Sequence, residues 1–107
     1  LTPSDAPGFV AAVYAAIGVS ALYDWAGGLV WLGVPDATAD AGAAAIRGAL
    51  AGHGGGHATL VRAPEAVRAE VDVFEPQPAP IAALTRRVKD GFDPRRILNP
   101  GRMYAGV

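Results

Sequence analysis

Apolar residues near the start of the chain recur every three or four positions, which predicts a helix over about residues 7–17. The stretch Ser4-Asp5-Ala6-Pro7 precedes it and offers a capping side chain, followed by a proline that suits a first helical turn. Val10 and Tyr14 make the opposite face apolar as well. Either the rest of the domain or an absent neighbour is therefore expected to cover both faces.

Two short runs rich in aromatic and branched residues follow, SALYDW at residues 20–25 and LVWLGV at residues 29–34. The Ala26-Gly27-Gly28 stretch separates them, and this combination predicts a β-hairpin. The aromatic side chains of the hairpin have two interpretations, which are packing in the core or between domains and stacking on the ring system of a ligand. They belong to Tyr23, Trp25 and Trp31.

An alanine-rich segment predicts a second helix after the hairpin, capped by Asp36 or Thr38 and running to about Ala51. Gly52 or Gly54 is available as its left-handed stop. The small side chains of this helix suit close packing of a helix on a sheet.

The second half of the chain predicts one more strand and two more helical segments. Residues 57–63, HATLVRA, alternate well enough for a third strand, and a short helical turn is expected after Pro64. Residues 74–80 hold three prolines, which predict an extended connector because neither a strand nor a helix interior accepts them. The last helix ends near Asp90-Gly91, and its apolar stripe consists of Ile81, Leu84 and Val88.

These elements predict an α+β fold in which an antiparallel sheet has helices packed on one face. The 107 residues fit a single domain, 1–107, whose residues 75–107 form a C-terminal connector, helix and tail. Apolar residues make up 51% of the chain and charged residues 18%, which favours a compact fold with one face too apolar for water. Together with a start at Leu1 in place of methionine, this surplus predicts a fragment of a longer protein.

The charge pattern excludes some partners. A formal net charge of -1 gives no reason to expect nucleic acid or an anionic membrane surface. Residues 1–60 carry four acids and one base, whereas residues 61–107 carry six acids and eight bases. The cluster of Arg86, Arg87 and Lys89 is interpreted as a solvated helix face, with an acidic partner or a phosphate as the alternative. Cysteine is absent, so thiolate sites are excluded, and no apolar run approaches the ~18 residues of a membrane span.

The run GHGGGH at residues 52–57 resembles a phosphate-binding loop in composition, but a predicted helix precedes it and a predicted strand follows it, the reverse of that motif. A helix stop with a tight turn is the alternative. His53 and His57 have the spacing of a metal-binding pair, yet the glycines between them oppose a continuous helix, and no metal site is predicted. His57 is either a donor to a ligand at the sheet edge or a histidine satisfied within the fold. No spacing singles out catalytic residues.

The run FDPRRILNPGRMY at residues 92–104 predicts a stiff ending to the chain. A turn begins at Asp93-Pro94, an apolar anchor follows, and Asn99-Pro100-Gly101 makes a rigid corner. Such a corner fixes the asparagine amide and the following backbone N–H groups in space, which suits a contact point.

This run resembles the C-terminal signature of FAD-linked oxidases of the vanillyl-alcohol oxidase type, whose chains end in a helix and an F-D-P-x-x-I-L-N-P-G-[KR] run. More narrowly, GGHATLVRAPEAVRAEVDVF at residues 55–74, the proline-rich connector and NPGRMY resemble the FAD-binding subunit of bacterial glycolate oxidase. The resemblance extends over roughly residues 20–107.

That resemblance implies a ferredoxin-like antiparallel sheet over an FAD that a separate N-terminal domain mainly holds. It implies that Asn99 and the backbone of Gly101 and Arg102 lie beside the cofactor, with His57 as a further donor. The implied partners are the chain's own N-terminal FAD-binding domain, the other glycolate oxidase subunits and a small 2-hydroxy acid. The implied location is the cytoplasm, where partner subunits can attach the protein to the inner face of the membrane.

The leading hypothesis is an FAD-dependent oxidoreductase subunit that contributes to the oxidation of glycolate to glyoxylate, with the chain inactive on its own. The metal-binding histidine pattern of related catalytic subunits is missing, so no metal or proton-abstraction role is carried over. The alternative is a non-catalytic domain that docks a partner chain through an apolar face.

Overall fold

The computed structural model of the chain describes residues 1–36 and 38–107. Helices and one antiparallel pair of strands form its regular structure, so the predicted α+β class is confirmed. Throughout these described ranges, every helix is too short or too polar to cross a membrane. The helices are α1 (Ala6–Ile17), α2 (Ala43–Gly52), α3 (Glu65–Glu70) and α4 (Ala79–Phe92), and the strands are β1 (Ser20–Asp24) and β2 (Leu29–Gly33).

Helix α1 forms where the apolar repeat predicts it. Gly18 ends the helix at φ +62°, a left-handed conformation that glycine adopts without a steric penalty, and its N–H donates to the carbonyl of Tyr14 at 2.9 Å. Asp5 occupies the N-cap position but makes no side-chain hydrogen bond there. The predicted side-chain cap is therefore absent at this position, although the helix itself is confirmed.

The predicted hairpin is confirmed. Strand β1 pairs with β2 from Ser20 opposite Gly33 to Asp24 opposite Leu29. Trp25 begins the connecting turn at φ +48°, and its N–H donates to the carboxylate of Asp24 at 2.8 Å. That bond offsets part of the steric cost of a left-handed, bulky residue.

Helix α2 begins later than predicted, at Ala43, with Gly42 at the N-cap position and the Asp40 carboxylate as acceptor for its first N–H groups. The Asp40 carboxylate accepts hydrogen bonds from the backbone N–H groups of Gly42 and Ala44, both at 2.9 Å. The bond from Ala44, more than that from Gly42, lowers the pKa of Asp40. The prediction of Asp36 or Thr38 as the cap is wrong, since both precede the residue that supplies the acceptor oxygens.

The predicted third strand, residues 57–63, is wrong. Its pairing is limited to a bridge between Thr59 and Phe74 and a neighbouring bond from the N–H of Leu60 to the carbonyl of Val73 at 2.8 Å. The partner segment runs into the proline-rich connector, whose prolines have no N–H to donate, so the ladder does not lengthen. The described sheet has two strands, and the ferredoxin-like arrangement is not confirmed.

The core lies in the first half of the chain. Val13 is completely buried, and α1, α2 and one face of β2 contribute its neighbours. Among the described residues, no apolar side chain after Leu50 is buried. The core cluster consists of Phe9, Val13, Val19 and Leu50, with Val30 and Leu32 of β2 packed against it.

The second half of the chain extends from this core. Arg47 of α2 donates from Nη2 to the carbonyl of Asp72 at 2.5 Å and so ties the segment after α3 to the first half. Helix α4 begins at Ala79, which shortens the predicted connector, and it continues to Phe92. The radius of gyration is 15.6 Å, whereas a compact domain of this length has about 13 Å. The molecule is therefore less compact than its length allows.

Candidate functional site

A buried carboxylate organises the loop that follows α4. Asp93 Oδ1 accepts a hydrogen bond from the N–H of Ile97 at 3.0 Å, and Oδ2 accepts one from the N–H of Leu98 at 2.9 Å. Lys89 Nζ lies 2.8 Å from the same Oδ2 and donates to the carbonyl of Leu98 at 2.5 Å. We call these four residues the Asp93 clamp. It joins the last turn of α4 to the C-terminal loop.

The clamp keeps Asp93 ionised. The hydrogen bond from Lys89 is the largest cause, and the backbone bonds from Leu98 and Ile97 add to it, so that the pKa of Asp93 falls to about 2. The sequence indicated only a turn at Asp93-Pro94. The sequence signal for the clamp was an aspartate in a turn, because its side-chain oxygens can accept from backbone N–H groups a few residues later, here those of Ile97 and Leu98.

The structure forms the predicted corner at residues 99–101. Asn99 and Gly101 have φ of +46° and +69°, and the N–H of Arg102 donates to the carbonyl of Asn99 at 3.3 Å. The N–H of Gly101 donates to the carbonyl of Val107 at 2.7 Å, so the tail closes back on the corner. Pro100 takes the turn position that its fixed φ favours.

The place of the corner beside a cofactor stays a prediction, but the structure shows which of its polar groups are already paired. The backbone N–H groups of Gly101 and Arg102 are bonded within the tail, so neither is free to meet a cofactor. Asn99 and Arg102 are both exposed, and their side chains make no hydrogen bond to another described residue. The polar groups that the corner presents outward are thus an amide and a guanidinium.

A second ion pair fastens the tail to α4. Arg96 Nη2 lies 2.7 Å from Oδ1 of Asp90, and Nη1 of the same arginine donates to the carbonyl of Gly106. Both partners are partly exposed, so the pair is worth little in stability by itself. Its geometry nevertheless adds a second attachment between the tail and the helix.

The apolar stripe of α4 is exposed. Its spacing puts the side chains on one face of the helix, as predicted, but no other element buries them. Phe92 is 87% exposed and Leu84 is 54% exposed. We call this surface the α4 stripe; it consists of Ile81, Leu84, Val88 and Phe92.

A groove and a smaller cavity are lined by the candidate residues. A groove of ≈ 1100 Å³ runs between β2 and residues 57–64, and His57 lines it. A smaller cavity of ≈ 510 Å³ is lined by α3, α4 and the tail, including Gly101 and Arg102. The structure therefore brings Asn99, Gly101 and Arg102 together in the tail, and it places His57 on a different cavity.

The glycine-rich run forms a helix stop and a tight turn. Gly54 and Gly55 both have φ of +78°, which confirms Gly54 as a left-handed stop after α2. His53 Nδ1 lies 2.9 Å from the carbonyl of Ala49, so its ring is satisfied within the fold. His57 is exposed. Across residues 1–36 and 38–107, no group of three or more His, Cys, Asp or Glu side chains is arranged to hold a metal ion.

The hairpin aromatics do not belong to the core of this chain. Trp25 is 79% exposed, and Tyr23 and Trp31 are also exposed. The interpretation that these side chains pack in the core is therefore wrong. The interpretations that remain are contact with another domain and stacking on the ring of a ligand.

Sequence reasoning named Arg86 in a basic cluster but missed its grouping with other arginines at the smaller cavity. Arg68 of α3 and Arg86 of α4 line it together with Arg102 of the tail. The rings of Phe74 and Tyr104 form part of the same wall, with centroids 6.0 Å apart and planes tilted by 54°. No local pattern could have joined residues so far apart in the sequence.

Comparisons of the chain with protein-family models, with curated proteins and with solved structures found no match.

Proposed function

We propose that this chain is the C-terminal domain of an FAD-dependent oxidoreductase subunit, resembling the FAD-binding subunit of bacterial glycolate oxidase, that contributes to the oxidation of glycolate to glyoxylate. The observation that carries the proposal is the Asp93 clamp, which holds an exposed corner in one conformation beside an exposed apolar helix. Ordering a chain terminus costs conformational entropy. A contact with another surface gives that order a function.

The exposed area supports a covering partner. The accessible surface of the chain is 7364 Å², whereas a folded monomer of 10.9 kDa exposes about 5,600 Å². The excess of about 1,800 Å² is more than the roughly 800 Å² that each partner buries in a standard interface. In this proposal the α4 stripe packs against the N-terminal FAD-binding domain of the same protein.

The polar groups of the corner suit the edge of a flavin. Asn99 offers an amide that both donates and accepts hydrogen bonds, and Arg102 offers a positive charge for an anionic ring or a carboxylate. The flavin, when bound, supplies the redox chemistry, accepting the electrons of the alcohol. Asn99 and Arg102 position the ring and favour its charged form. His57 lines the other cavity, and its role as a further donor stays a prediction.

Purification of the full-length protein that contains this chain tests the proposal. The expected result is a yellow protein with a flavin absorbance spectrum and glycolate-dependent reduction of an electron-accepting dye. Asn99→Gly keeps the left-handed backbone and removes the amide, so it should reduce FAD retention or turnover. Arg95→Gln, an exposed change in the same loop, is the matched control. A folded, colourless full-length protein would overturn the flavin function.

The second candidate function is a non-catalytic domain that docks a partner chain. The α4 stripe favours it, since four large apolar side chains on one exposed helix face are typical of an interaction surface. A colourless full-length protein that co-purifies with a partner, and loses it on Leu84→Glu, would support this candidate in place of the first.

A further inference from the structure

The smaller cavity brings together three arginines from three different elements. Arg68 comes from α3, Arg86 from α4 and Arg102 from the tail, and all three line the same space of ≈ 510 Å³. A cavity of this size lies in the range of sites for small molecules. The Phe74 and Tyr104 rings give it an apolar wall.

These arginines are not neutralised by the rest of the described chain. Both salt bridges of the described residues are made by other cations, Lys89 and Arg96. No side-chain hydrogen bond occupies any of the three guanidinium groups. Glu70 and Asp72 also line the cavity, but neither forms an ion pair with them. Three basic and two acidic residues thus line one space.

We propose that this cavity binds a small oxyanion, a carboxylate or phosphate group, through Arg68, Arg86 and Arg102. Guanidinium groups match such anions because their N–H donors form paired, charge-assisted hydrogen bonds. Like charges around one cavity repel each other, and a bound anion removes that repulsion. The apolar wall strengthens the attraction by displacing water from one side of the ligand.

The site does not require a flavin. A 2-hydroxy acid as its natural ligand rests on the proposed function, because its carboxylate is the group that the arginines would hold. Binding of a free phosphate or a phosphate ester would not depend on the proposed function. The arginines would bind a carboxylate and a phosphate through the same kind of hydrogen bonds. The anion that binds more tightly therefore identifies the natural ligand.

Titration of the chain with sodium glycolate and, separately, with inorganic phosphate tests the site, with ionic strength held constant by chloride. The readout is the NMR shift of the arginine side-chain N–H groups and of the Gly101 amide. Arg86→Gln should weaken binding about tenfold or more, since it removes a charged hydrogen-bond donor. Arg87→Gln removes the same charge one residue away, outside the cavity lining; it should change binding less than about twofold, as an exposed charge does.

Saturable binding of either anion that Arg86→Gln weakens and Arg87→Gln does not supports the site. Preference for glycolate identifies a carboxylate ligand, and preference for phosphate identifies a phosphate ligand. No saturable response to either anion, or equal losses in the two variants, would overturn it. Arg68→Gln is a second variant in case Arg86→Gln disturbs α4, as circular dichroism would show. Flavin in the full-length protein is measured separately, so failure here and failure of the proposed function are distinguishable.

Discussion

At the residue scale, one carboxylate governs the C-terminal loop. Among the described residues, the charged side chain that is buried belongs to Asp93. Its oxygens accept hydrogen bonds from the N–H groups of Ile97 and Leu98, which no helix or strand pairs. Lys89 balances its charge. Exposed polar residues around the corner depend on this buried contact for their position.

The Asp93 clamp predicts a loss of loop structure in acid. Because the folded pKa is lowered from 3.8 to about 2, the stabilisation is fully present above the unfolded value and is lost as the pH falls through the folded one. NMR at decreasing pH should show the amides of Ile97 and Leu98 shifting with a midpoint near the folded value. The Gly18 amide, which bonds to a carbonyl, is the control and should not follow that titration. A midpoint close to 3.8 for Leu98 would contradict the clamp.

At the element scale, the elements that depend on local patterns were predicted well, and those that depend on contacts between distant residues were not. The hairpin and the first helix depend on neighbours in sequence, and both formed where the pattern placed them. Residues 57–63 had the alternation of a strand, but a strand also needs a partner with free N–H groups, and the segment met the connector. The acceptor oxygens at the start of α2 come from Asp40, not from Asp36 or Thr38, because this role depends on which oxygen reaches the N–H groups.

The candidate site divides in the same way. The corner was predictable because Asn99, Pro100 and Gly101 each restrict their own backbone. The grouping of Arg68, Arg86 and Arg102 was not, because it depends on how α3, α4 and the tail fold together. The exposure of the α4 stripe was also not predictable, since an apolar stripe has the same spacing whether a core or a partner covers it.

Replacing Gly48 in α2 and Gly42 at its N-cap by alanine should change the stability of the chain in opposite directions. Gly48 lies inside α2, and a Cβ added there meets nothing within 4 Å, so Gly48→Ala should stabilise the chain by about 0.5–1 kcal/mol. Gly42 has φ +73°, and its added Cβ would lie 2.5 Å from Cδ1 of Ile17. Gly42→Ala should therefore destabilise by at least about 1–2 kcal/mol. Urea unfolding of both variants measures the difference, and a stabilising Gly42→Ala would contradict the cap geometry.

At the scale of the whole molecule, the packed core and the exposed apolar surface lie in different halves of the chain. The buried apolar residues end at Leu50, whereas the α4 stripe begins at Ile81. The first half therefore supplies most of the hydrophobic free energy of folding. The second half keeps apolar area that remains available for another surface.

This division predicts that changes in the two halves have different effects. Leu50 is 5% exposed, so Leu50→Ala should reduce the free energy of unfolding by about 2–5 kcal/mol. Leu84 is 54% exposed, so Leu84→Glu should change it by less than about 0.5 kcal/mol, as exposed substitutions usually do. Urea unfolding of the two variants beside the unaltered chain makes the comparison.

Under the second candidate function, in which a partner chain covers the α4 stripe, the same Leu84→Glu change should disrupt association while it leaves the fold intact, because a carboxylate on the stripe loses its hydration when the partner covers it. Gel filtration of the full-length protein, with Arg87→Glu as a charge change on the same helix off the stripe, measures that loss. If Leu84→Glu instead unfolds the chain as far as Leu50→Ala does, the stripe is part of the core in solution. An interface on α4 would then have no surface to use, and the docking of a partner chain through the stripe would be overturned.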